Sequence, residues 1–203
     1  MIDLISSVRF KASYPQLKRF VSSSKYGGRA ISFVEYADPV RIIDMETLPL
    51  RVREVVQLQA FIAAARDGME TVIYRPTAVC VPQAYWGDAN HPHIVGTAVR
   101  GTVTNGRTVQ LTGVMPGLKL LAGDLISFTH NNYRQMSQIV IGATAVSTQM
   151  SVTVDQPIAA YIAAGATVRF KRPELNTRLM PGSFQLPNGS RPVATFQLVE
   201  VPR

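Results

Sequence analysis

A chain of 203 residues is long enough for one large domain or two small ones, each with its own apolar core. Hydrophobic residues make up 46% and charged residues 17%, which excludes a disordered or heavily solvated chain. The charged share falls below the usual level of about one quarter, as expected where neighbouring copies cover part of the surface.

The formal net charge is +8, and most of the basic side chains are arginine, whose planar fork suits interfaces. They are scattered from Arg9 to Arg203 and form no run, which weighs against a dedicated nucleic-acid binder. Cys80 is the sole cysteine, so the chain makes no internal disulfide and no four-cysteine zinc site. Met1-Ile2-Asp3-Leu4-Ile5 lacks the basic start of a secretion signal. No apolar stretch is long enough to span a bilayer as a helix. A soluble chain made in the cytoplasm is expected.

In chain order, residues 22–29 read as a polar loop, followed by strands over Ile31–Tyr36 and Val40–Asp44. A helix is expected over about residues 50–66, with Val52, Val55, Leu58, Ile62 and Ala65 recurring at spacings of three and four on one face. Thr47 and Pro49 suit its start, and Asp67-Gly68 its stop. Thr71–Tyr74 reads as a short strand. Residues 76–93 carry several prolines with Tyr85-Trp86-Gly87, too long a stretch for a plain connector.

Val99–Leu111 holds Asn105-Gly106 between β-branched arms, a strong hairpin signal. Leu125–Thr129 and Tyr133–Ile141 read as strands joined across Asn131-Asn132. Met150, Val152 and Val154 alternate with polar residues, as do Ala166, Val168 and Phe170. Pro173, Pro181, Pro187 and Pro192 break up the next stretch, and Ala194–Val201 reads as a last strand. The expected fold is mainly β: a β-sandwich domain with one amphipathic helix, plus a small β-barrel or sandwich module. Residues 1–95, completed by 174–203, form the first domain, and 96–173 the inserted module.

Motifs that carry chemistry are sparse. His91 and His93 flank Pro92 without a further ligand cluster, so no metal site is expected. No Gly-x-Ser-x-Gly elbow, phosphate-binding loop or dinucleotide fingerprint occurs. Cys80 sits among apolar neighbours, like a small buried hydrophobe. No catalytic residue, cofactor or metal is expected, and the protein reads as no enzyme.

Two sets of residues resemble one family. The first runs from Leu58-Gln59-Ala60-Phe61-Ile62 through Arg66-Asp67-Gly68 into Thr71–Tyr74 and Arg75-Pro76. The second is Leu120-Leu121-Ala122-Gly123-Asp124-Leu125-Ile126-Ser127-Phe128, then Tyr133-Arg134-Gln135-Met136, Met150–Val154, Pro157 and Gly165–Phe170. In this order, over about residues 58–172, they resemble the distal tail and minor tail proteins of long-tailed bacteriophages.

The resemblance implies a first domain that closes a hexameric ring at the tail tip of a virion, with the second module outside it. Partners would be further copies of the chain, the tail tube protein, and the hub with its receptor-binding or fibre proteins; DNA would meet it only in transit. Candidate interface residues are Tyr26 and Arg29 in the polar loop, and Tyr85 and Trp86 in the long one. A rival reading is a carbohydrate-binding or host-adhesion module of a virion, with Tyr85-Trp86 near the sugar. A third is a nucleic-acid binder with steeply salt-dependent affinity.

Overall fold

The computed structural model describes residues 1–26 and 30–202. Its strands are β1 (Ile2–Asp3), β2 (Gln16–Tyr26), β3 (Ala30–Glu46), β4 (Val72–Tyr74), β5 (Thr97–Thr104), β6 (Thr108–Thr112) and β7 (Lys119–Leu120). They continue with β8 (Leu125–His130), β9 (Tyr133–Ile141), β10 (Ala143–Thr144), β11 (Gln149–Val154), β12 (Thr167–Arg169), β13 (Leu175–Leu179) and β14 (Thr195–Glu200). The main helix is α1 (Val52–Ala65).

Six strands form one sheet in the order β1-β4-β13-β14-β3-β2, and six others close a barrel in the order β11-β6-β5-β12-β8-β9. The sheet strands come from residues 2–74 and 175–200, the barrel strands from 97–169. The protein is thus mainly β, with one principal helix and a small barrel module, as the residue pattern predicts.

The alternation along β11 buries Met150, Val152 and Val154, and that along β12 buries Ala166, Val168 and Phe170. These fill the barrel with Val109, Leu111, Ile126 and Phe128. Asn105 and Gly106 both take positive φ in the β5–β6 turn, the conformation the Asn-Gly pair favours. A second core lies between α1 and the sheet, where Leu58, Phe61 and Ala65 meet Ile43, Tyr74, Leu175, Phe196 and Leu198. Leu125 of β8 and Met136 of β9 belong to this second core, so the barrel docks on the sheet through those strands.

Several expectations are corrected. Val52 lies outside the buried stripe of α1 and is exposed, and Phe61 takes a place on that stripe. Thr47 and Pro49 do not cap the helix: Arg51 is the cap residue, and the Glu54 carboxylate accepts its backbone N–H at 2.7 Å. Thr47 is buried instead, its hydroxyl accepting from the Ala194 N–H at 2.9 Å. The polar stretch expected as a loop from residue 22 is strand as far as Tyr26, and the two strands expected over 31–44 are one. Serine side chains suit a strand exposed on both faces, which carries no apolar alternation to betray it. The segment between Pro173 and Pro181 accommodates β13, because each proline falls just outside it.

Candidate assembly interface

Strand β14 pairs with β3 only over Ile42–Glu46, whereas β2 pairs with β3 from Ile42 out to Ala30. Among the described residues, β3 from Arg41 outward has only β2 as a strand neighbour, and the two make a projecting arm. Ile31, Phe33, Val34 and Val21 are exposed along this arm, Phe33 to 70%. Successive strand residues face opposite sides, so the neighbours Phe33 and Val34 make both faces of the arm apolar. Neither face is covered by the chain's own core.

The arm is bulged near its base. Lys18 pairs with Val40, Phe20 with Ala37 and Val21 with Glu35, so β3 carries extra residues at Asp38-Pro39 and again at Tyr36. Pro39 has no N–H to give to a ladder, which fits a bulge.

Behind the arm lies a buried polar junction. Arg41 is 1% exposed. Its Nε donates to the Met136 carbonyl of β9 at 3.0 Å, its Nη2 donates to the Asp155 carboxylate, and its backbone N–H donates to Glu200 at 2.9 Å. Asp155 in turn accepts the Gln138 N–H at 2.9 Å. Burial raises the Glu200 carboxyl above the usual range, against the opposing pull of the Arg41 N–H and charge.

A second cluster forms around Glu174, on the link from β12 to β13. Its Oε1 accepts from Arg75 at 3.0 and 3.1 Å and from Arg169 at 3.0 Å, and its Oε2 accepts from Arg134 at 2.9 Å. Burial alone would raise this carboxyl, but the bonds from Arg134 and Arg75 and the charges of Arg169 and Arg75 outweigh it and hold it below the usual range. Arg75 follows β4 of the sheet, while Arg134 and Arg169 lie on barrel strands, so both clusters tie the sheet to the barrel.

Of the residues singled out in the sequence, Arg29 lies outside the described residues. Tyr26 ends β2, paired with Ala30, and its side chain also lies outside them. Tyr85 is buried, its hydroxyl accepting the Lys119 N–H at 2.9 Å and lying 3.1 Å from His93 Nδ1. It pins the long loop to the barrel. Trp86 is 68% exposed, and its indole N–H donates to the Val81 carbonyl at 3.1 Å, so the ring is held in place with its surface open. Asp124 of the Gly-Asp turn is fully buried and accepts the N–H groups of Gln83 and Leu121, fastening the same loop.

Sequence reasoning missed the arm's apolar residues as a surface because Ile31–Tyr36 reads as an ordinary half-buried strand. Among the described residues, no cluster of three or more His, Cys, Asp or Glu is placed to hold a metal. No helix of the described residues is long and apolar enough to cross a membrane.

The fold defines a mainly β protein in which a helix-backed sheet carries a closed barrel and a projecting two-stranded arm. No protein-family model matches the chain, and no curated protein is significantly similar to it.

Proposed function

We propose that the protein is a structural component of a phage tail tip, forming a symmetric ring that joins the tail tube to the hub and receptor-binding apparatus. The observation that carries this reading is the β2–β3 arm. A two-stranded ribbon is marginal in water on its own, and this one exposes Ile31, Phe33 and Val34 with nothing among the described residues to cover them. A neighbouring copy supplies that cover. If each copy's arm lies on a different surface of the next, the contact is head-to-tail, and it closes a ring where the rotation between copies divides a full turn. The resemblance of residues 58–172 to distal and minor tail proteins points the same way. No catalytic step enters this reading: the work is done by assembly, and localisation is the tail tip of the virion.

Mass photometry of the purified chain over a range of concentrations tests it. Discrete higher-order species that vanish in the Phe33→Ser variant support the reading. Self-association that the variant leaves intact contradicts the role of the arm. Because rings of this kind also form on a growing tail, the same variant is to be scored for incorporation into particles.

A further inference from the structure

A cleft of about 560 Å³ lies between the base of the arm and the barrel, a volume within the range of small-ligand sites. One side carries Tyr36 and Asp38 of β3, both at the bulges that break the β2–β3 register. Bulges re-aim side chains, and here they present residues that a regular strand would send elsewhere. The other side carries Tyr161 and Arg107 from the barrel, with Glu200 of β14 between.

The walls are fixed. Arg19 donates to the Asp155 carbonyl at 2.9 Å, holding the arm to the barrel. Ile158 N–H donates to the Gly106 carbonyl at 2.9 Å, holding the turn that carries Arg107. The Tyr161 ring rests on Tyr133, with centroids 5.1 Å apart. Its phenol is pushed up to about 12, by burial and then by the nearby charges of Glu200 and Asp38, so it stays neutral and able to donate.

The polar groups select the ligand. Arg19 pairs with Glu35 inside the cleft, while the side chains of Asp38 and Arg107 have no hydrogen bond or ion pair among the described residues. Arg19 and Arg107 face three carboxyl groups, Glu35, Asp38 and Glu200, so the cleft has no excess positive charge to draw an anion. A purely apolar ligand would strip water from Asp38 and Arg107 without replacing it. A ligand with hydroxyl groups on its edge and C–H bonds on its face meets both demands: hydroxyls donate to Asp38 and accept from Arg107, and the face lies on a tyrosine ring.

We propose that this cleft binds a neutral saccharide. It is a different place from the Trp86 surface, and it uses the base of the arm, leaving Ile31, Phe33 and Val34 further out for contacts between copies. The inference does not depend on the ring.

The test uses the full chain on a glycan array, with titration calorimetry against neutral tetrasaccharides of glucose and of N-acetylglucosamine. Binding to a neutral glycan is expected, weakened about tenfold or more in each of Tyr36→Ala and Arg107→Ala, the loss typical of truncating a central contact. Asp38→Asn, which keeps an acceptor, is expected to weaken it less, and Trp86→Ala to leave it unchanged. Tyr36, Asp38 and Arg107 are exposed, so thermal midpoints are expected to match the parent and report folding. Failure to bind any neutral glycan, binding of charged glycans alone, binding indifferent to Tyr36→Ala and Arg107→Ala, or loss on Trp86→Ala would each overturn the proposal. Mass photometry on the same samples keeps a failed ring separate from a failed cleft.

Discussion

The buried Arg41 of the sheet and the part-buried Asp155 of the barrel form an ion pair at the place where the two units meet. The pair sits directly behind the arm, since Arg41 is the first β3 residue outward from the stretch that β14 flanks. Its neighbours extend it: Arg41 Nε donates to the Met136 carbonyl, the Arg41 backbone N–H donates to Glu200, and Asp155 accepts the Gln138 N–H. The base of the arm is therefore rigid, and the projecting part inherits a defined direction.

Removing one partner strands the other. Arg41→Met leaves the part-buried Asp155 without its cation and the Met136 carbonyl with Gln156 as its remaining donor, and a loss of about 3 kcal/mol is expected. Urea unfolding of the two proteins measures it. Arg41→Met with Asp155→Leu removes both charges, and a partial return of stability is expected: Asp155 no longer stands unpaired, while Glu200 loses the Arg41 charge and keeps the backbone N–H.

The Glu174 cluster carries a pH signature. Its folded carboxyl is held below the ordinary value of 4.5, so its contribution is fully present above 4.5 and lost as the pH falls through the depressed folded value. Glu174→Gln is expected to destabilise most at neutral pH, by about 3 kcal/mol, leaving Arg75, Arg134 and Arg169 around a neutral amide. The gap between parent and variant narrows in acid. Glu200 has the opposite sign: its folded value is raised, so it costs stability as the pH climbs past 4.5, and Glu200→Gln flattens that decline. Denaturant curves at several pH values separate the two.

Gly68 is a position where only glycine fits. It holds φ +89°, and a Cβ there would sit 2.4 Å from the Leu179 carbonyl oxygen of β13. Gly68→Ala is expected to cost more than about 1 kcal/mol and to loosen the α1–β4 turn. Gly165→Ala meets no atom within 4 Å despite its positive φ, and a smaller loss is expected there. Thermal unfolding of the pair gives the contrast.

Much of this fold is legible in the residues. The barrel strands announce themselves because one face is wet and the other dry, and the Asn105-Gly106 turn marks its own hairpin. The end of α1 is only roughly legible: Asp67-Gly68 marks the region, but the helix stops at Ala65 and Arg66 takes the left-handed cap position. Strand β2 is hidden because Ser22, Ser23 and Ser24 face solvent and carry no period. Tyr85 and Trp86 are adjacent yet differ, one buried and one exposed, because the short turn over residues 83–85 directs them apart. The junction around Arg41 and Glu174 is invisible in sequence, since its members lie up to 159 positions apart and meet only through the fold.

The arm gives the most direct prediction of assembly. Phe33→Ser replaces a side chain that is 70% exposed and touches no core, so stability is expected to stay within about 0.5 kcal/mol of the parent. Self-association is expected to weaken by about tenfold or more, as for a central apolar anchor. Sedimentation velocity beside a urea curve reads both.

Cryo-electron microscopy of tailed particles that contain this chain tests the central claim. The account predicts a symmetric ring of identical copies at the tail tip, with each β2–β3 arm resting on the adjacent copy. Particles in which the chain occupies no symmetric position, or in which its arm touches no other copy, would contradict it.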